Sequence, residues 1–187
     1  MIATAPAHPA PRLGQPVLRR VWVGGLGKPD LLARLQAAGI QMNEAGRTLF
    51  ADDRFNCLAQ AQQRETLEDS VAGWGFAQGA LLSQIIARAA QCGLVPCALA
   101  LGPWLRLQTL DQAEGSVGQP ASSGRAPPGS LTLVSEPEPE PDLDRPQGFY
   151  IRKIEGVPWL RGYRAGPDHV WRPEDRLLFC RPDPSSA

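Results

Sequence analysis

The stretch "GFYIRKIEGVPWLRGY", Gly148 to Tyr163, decides how this chain is read. Aromatic and β-branched residues occupy both halves, and Glu155-Gly156 interrupts them at the centre, the pattern of two strands joined by a tight turn. Along the second half Val157, Trp159, Arg161 and Tyr163 share one face and Leu160 takes the other, because strand side chains alternate. Two readings stay open. One is a hairpin that packs its aromatics inward with Arg161 at the rim, so that Trp159 belongs to the core. The other is a ligand face on which Tyr150, Arg152, Trp159, Arg161, Tyr163, Arg164, His169 and Trp171 interleave ring faces with cations.

The strand reading extends in both directions. Downstream, "DRLLFCR" is a further strand beyond a turn at Gly166-Pro167. Upstream, "LTLVS" and "VLRRVWVGG" are strands, a short strand is expected near Leu67 to Val71, and the turn-rich "NEAGRTLFADDRFN" holds one around Thr48 to Phe50. "LGPWLRLQTL" alternates, with Leu101, Pro103, Leu105 and Leu107 on one side, which predicts a half-buried strand. Helices are expected at "GKPDLLARLQAAG", where Pro29 suits the first turn, and at "LLSQIIARAAQCG", whose Leu82, Ile85, Ile86 and Ala89 recur at helical spacing before Gly93. This order predicts an α+β fold, a largely antiparallel mixed sheet with two helices packed on one face.

Pro and Gly, 19 each among 187 residues, imply much turn and linker. Residues 1–16 read as a disordered arm, 17–182 as one domain, and 183–187 as a tail. A flexible Pro, Gly and acidic region at about 113–147 interrupts the domain, with the short strand near 131–135 inside it. The formal net charge is zero, yet residues 1–110 carry +3, 111–144 carry −6 and 145–181 carry +4. The acids Glu136, Glu138, Glu140, Asp142 and Asp144 precede the basic segment closely enough to fold back over Arg152, Arg161 and Arg164.

The four cysteines are widely spaced, and the Pro-broken N-terminus has no apolar signal core, so the expectation is a cytoplasmic chain with reduced thiols and no membrane span.

Residue spacing argues against several chemistries. In "WVGGLGKPD" a phosphate loop ending at Lys28 would need its first glycine at Trp22, and Pro29 replaces the metal-binding hydroxyl; the dinucleotide fingerprint also fails. Cys92 and Cys97 lack the second ligand pair that zinc requires, so neither metal nor cofactor is expected. His169 beside Asp168 is the one base within the fold for Cys57 or Cys180, and neither cysteine has a catalytic flank. Asp52-Asp53 and Glu65, Glu68 and Asp69 could supply an acid and base pair, with Glu65 and Glu68 on one face if helical.

From Cys97 onward, "CALALGPWLRLQTLDQ", "APPGSLTLVS" and "GFYIRKIEGVPWLRGYRAGPDHVWRPEDRLLFCR", together with "FAQGALLSQIIARAAQCGL", resemble a family of short bacterial proteins of unknown function. Some members carry a "helicase" label, and the resemblance implies no established activity. Those proteins often have Pro and Glu where this chain has Ala98 and Ala100, so a site built on them would be missing here. The expectation is a non-catalytic binding protein that meets a protein partner through its C-terminal β module. The alternatives are a nucleic-acid accessory protein and a Cys- or carboxylate-dependent hydrolase.

Overall fold

The computed structural model describes residues 15–115, 127–138, 142 and 144–182. Most of the arm expected at 1–16, the centre of the 113–147 region and the 183–187 tail lie outside the described residues. In chain order the elements are β1 (Val17–Val23), α1 (Lys28–Ala37), β2 (Gln41–Met42), α2 (Glu44–Ala51), β3 (Gln62–Ser70), β4 (Ala80–Leu81), α3 (Leu82–Gln91), α4 (Leu101–Leu107), β5 (Leu131–Leu133), β6 (Gly148–Ile154), β7 (Val157–Tyr163), β8 (Val170–Trp171) and β9 (Arg176–Cys180). Seven strands form one sheet in the order β1-β3-β9-β5-β6-β7-β2, and β4 pairs with β8 separately. The class is mixed α and β. The sheet is mixed too, with β5–β9 and β2–β7 running parallel and the other neighbours antiparallel.

Alternation along the central strand β9 divides the core. Leu178 and Cys180 join a layer with Val21, Phe149, Ile151 and Leu160, covered by Leu31 and Leu35 of α1, Leu49 and Phe50 of α2, and Leu101, Trp104 and Leu105 of α4. Leu177 and Phe179 point the opposite way, into a layer with Trp74, Ile85 and Ala89 of α3, and Trp171. The expected pair of helices on one face is therefore corrected, among the described residues, to four helices on two faces. β9 contributes buried apolar side chains to both, so each face of the sheet needs a cover.

Two helices replace expected strands. In "NEAGRTLFA" the Asn43 side chain caps α2 by accepting from the Gly46 N–H at 2.8 Å. The same oxygen accepts from Gly162 N–H at 2.9 Å, and the Asn43 amide donates to Gly162 O at 3.1 Å, which fastens α2 to β7. A methyl group on Gly162 would lie 2.5 Å from the Ala45 carbonyl carbon, so glycine is what permits this approach. In α4, residues 101–106 are all buried, so the alternating leucines carried no information about which side faced water. Arg106 lies wholly inside, donating to Gln112, to Thr109 O and, at 3.3 Å, to Arg152 O; burial lowers its pKa to about 10.

Glu155 and Gly156, with φ of 49° and 78°, make the hairpin turn between β6 and β7. β3 begins five residues earlier than expected, because its N-terminal half, "QQRET", is polar yet pairs with Arg19 to Val23 of β1. At the outer edge of β1 the Gln108 amide accepts from Trp22 N–H at 3.0 Å and donates to Trp22 O at 2.8 Å, covering ladder groups that an edge strand leaves open.

Candidate functional site

The hairpin places Tyr150 opposite Arg161 and Arg152 opposite Trp159, so these four side chains share the face of the sheet that α3 covers farther along. Arg161 Cζ lies 5.2 Å from the Trp159 ring centroid and 5.9 Å from that of Tyr150. Such contacts contribute roughly 0.5–2 kcal/mol each, more as water is excluded. Tyr150 and Arg152 are each 8% exposed, whereas Trp159 and Arg161 are half-buried. Burial pushes the Tyr150 hydroxyl above its usual pKa, against the opposing pull of Arg161 and Arg152. The Nε atoms of Arg152 and Arg161 are buried without acceptors, and among the described residues neither guanidinium has an ion-pair partner. Arg161 is held by the two rings and Arg152 stands diagonal to it in the strand register, so the hairpin brings two guanidinium Nε donors without acceptors to one face.

The other predicted residues lie elsewhere. Tyr163 points to the same side as Trp159 but packs edge-on against Trp171, with centroids 5.8 Å apart, and its hydroxyl, 3.5 Å from Leu133 O, is pushed up in pKa by burial. Trp171 is 3% exposed inside the α3 layer. His169 stacks edge-on against Trp171 at 5.1 Å, and burial lowers its pKa against the opposing effect of Asp168. Arg164 Nε donates to Asp144 O at 2.7 Å. Trp159 belongs to neither core layer, so core membership describes Trp171 and Tyr163 but not Trp159.

The described part of the acidic tract reaches one of the expected arginines, Arg164, through the Asp144 carbonyl, and its Glu138 goes elsewhere. Glu138 pairs with Arg54 and Arg145, not with Arg152 or Arg161. Arg54 grips Asp52 with Nε at 3.0 Å and Nη2 at 2.9 Å, and Arg145 adds Nη2 at 2.9 Å. This grip, chiefly the Arg54 hydrogen bonds, holds the Asp52 carboxyl far below the usual range. Asp52, Arg54, Glu138 and Arg145 were not singled out as a group by the sequence, although "DDR" at 52–54 carried a local signal for the Asp52–Arg54 grip. Beside them Leu82, Ile86, Tyr163, Pro137, Pro146 and Pro167 line a mainly apolar cleft of about 190 Å³. Glu140 lies outside the described residues.

The catalytic candidates meet other partners. Lys28 Nζ donates to Asp52 O at 2.9 Å and lies over the Phe55 ring, so it is committed to the end of α2. Glu65 and Glu68 fall on opposite faces because β3 is a strand; Glu65 pairs with Arg20 and Arg181, Glu68 with Arg19 and Arg176. Cys180 meets Cys97, and Cys57 packs against the core. Among the described residues no group of three or more His, Cys, Asp or Glu side chains is placed to hold a metal, and no helix is long and apolar enough to cross a membrane.

Comparison of the chain with protein-family models, curated proteins and solved structures finds no match.

Proposed function

We propose that this chain is a non-catalytic binding protein of the bacterial cytoplasm, related to the short proteins it resembles, and that it takes an anionic segment of a partner protein on the β6–β7 face. The observation that carries the reading is Arg161 lying over Trp159 and Tyr150, next to Arg152, with no carboxylate among the described residues paired to either cation. The rings hold the guanidinium, and its edge donors suit a planar carboxylate. A nucleic-acid reading draws on the +4 net charge of 145–181. It fits less well, because base stacking needs open ring faces and Tyr150 is 8% exposed.

Titration with a Glu- and Asp-rich peptide, and separately with a mixed-sequence single-stranded oligonucleotide, tests this choice. The peptide is expected to bind with strong salt dependence, and Arg161→Ala to weaken it about tenfold or more, the loss of one charge-assisted pair. Peptide binding unchanged in Arg161→Ala and Arg152→Ala would refute the site. Tighter binding of the oligonucleotide, lost in the same variants, would transfer the face to nucleic acid.

A further inference from the structure

Cys97 and Cys180 are 83 positions apart, yet the fold brings their sulfurs to 3.0 Å. The cause is a short extension of the sheet. Cys180 ends β9 and exchanges both backbone hydrogen bonds with Val95, at 2.9 and 2.8 Å, while the Cys97 N–H donates to Val134 O at 2.6 Å. Residues 95–97 therefore run alongside the central strand, and Cys97 stands diagonally across from Cys180. The sulfurs are about 1 Å beyond the ~2.05 Å of a bonded pair. Cys97 is 2% exposed and Cys180 8%. Cys180 lines a cleft of about 350 Å³ with Val95, Pro96, Leu101, Arg64 and Arg181, whereas Cys97 does not reach it. Cys57 is half-buried, Cys92 is exposed, and neither takes part.

We infer that Cys97 and Cys180 are an oxidisable dithiol, closed to a disulfide by exchange with a low-molecular-weight disulfide that enters through the cleft at Cys180. In the first step Cys180 gives up its proton and its thiolate attacks one sulfur of the oxidant, forming a mixed disulfide and releasing one thiolate, which takes up that proton. In the second, Cys97 Sγ attacks Cys180 Sγ, the mixed disulfide breaks, and the departing thiolate takes the Cys97 proton. Two protein thiols lose two electrons, and one oxidant disulfide becomes two thiols. Burial raises the Cys97 thiol well above its ordinary pKa, which makes it the poorer first attacker; its place 3.0 Å from Cys180 Sγ is what carries the second step. The product ties the segment before α4 to the centre of the sheet, closing a long loop of the unfolded chain.

The test uses the full chain with Cys57→Ser and Cys92→Ser, so that only this pair remains, treated with oxidised glutathione and followed by intact mass and by thiol titration in denaturant. The expected product has lost two hydrogens (about 2 Da), retains no glutathione, shows no titratable thiol and melts at a higher temperature than the reduced form, reversibly on adding a dithiol reductant. Adding Cys97→Ala is expected to trap one glutathione on Cys180. A stable glutathione adduct on the chain that keeps both cysteines, or thiols that stay reduced until the protein is unfolded, would overturn the inference.

Discussion

The two ends of β7 carry the same kinds of residue on the same face and have different fates. At Tyr163 the strand packs against the layer of α3 and the β4–β8 pair, so the half-buried Tyr163 and His169 each meet the buried Trp171 edge to face. At Trp159 and Arg161 neither hydrophobic layer includes the strand's aromatic, and the same chemistry becomes an Arg flanked by rings. What distinguishes core from candidate site here is the cover, not the composition.

The largest expected effect breaks the covered end. Trp171→Ala should cost about 3–5 kcal/mol in urea-unfolding free energy, because it empties a buried aromatic position. A loss under about 1 kcal/mol would mean that this end is as open as the other. Next comes the attachment on the opposite face of β7, where Gly162→Ala forces a methyl into the Ala45 carbonyl and should cost about 2–3 kcal/mol by the same measurement.

A third test sharpens the comparison through a charge in the loop from β8 to β9. Asp175 is buried and accepts from the Arg172 N–H at 2.8 Å, and burial raises its pKa to about 6 from 3.8. Between those values the folded chain holds a proton that the unfolded chain has released. Stability should therefore fall by about 2 kcal/mol as pH rises from 4 to 6, from this group alone. Asp175→Asn, which keeps an acceptor for Arg172, should flatten that part of the pH profile; an unchanged slope would show that Asp175 ionises freely in the fold.

The smallest effect belongs to the open end. Trp159→Ala should cost about 1 kcal/mol or less, the value of a cross-strand pair, while it weakens peptide binding. A loss comparable to that of Trp171→Ala would return Trp159 to the core and remove the contrast between the two ends.

The parts of the fold legible in the residues were those with a local signature. Pro29 and Gly39 bracket α1, helical spacing marks α3, and Glu155-Gly156 marks the hairpin. α2 was missed because Gly46, a poor helix former, is there to meet the backbone of Leu160 and Gly162. α4 was missed because a helix buried along most of its length leaves no polar face to set its period. Of the site, the residue types and their shared face were readable, since strand alternation is local. The ionic group at Asp52 was not, because Glu138 and Arg145 reach it from more than 80 positions away.

By itself the sequence determined the hairpin, the turn that closes it and which of its side chains point the same way, all of which depend on backbone sterics over a few residues. The tertiary structure decided which of those side chains are sealed and which stay available, and that Cys97 would meet Cys180. Both outcomes depend on strand pairings between distant segments, β4 with β8 and Val95 with Cys180, whose partners are chosen by the burial of the whole sheet rather than by any local pattern.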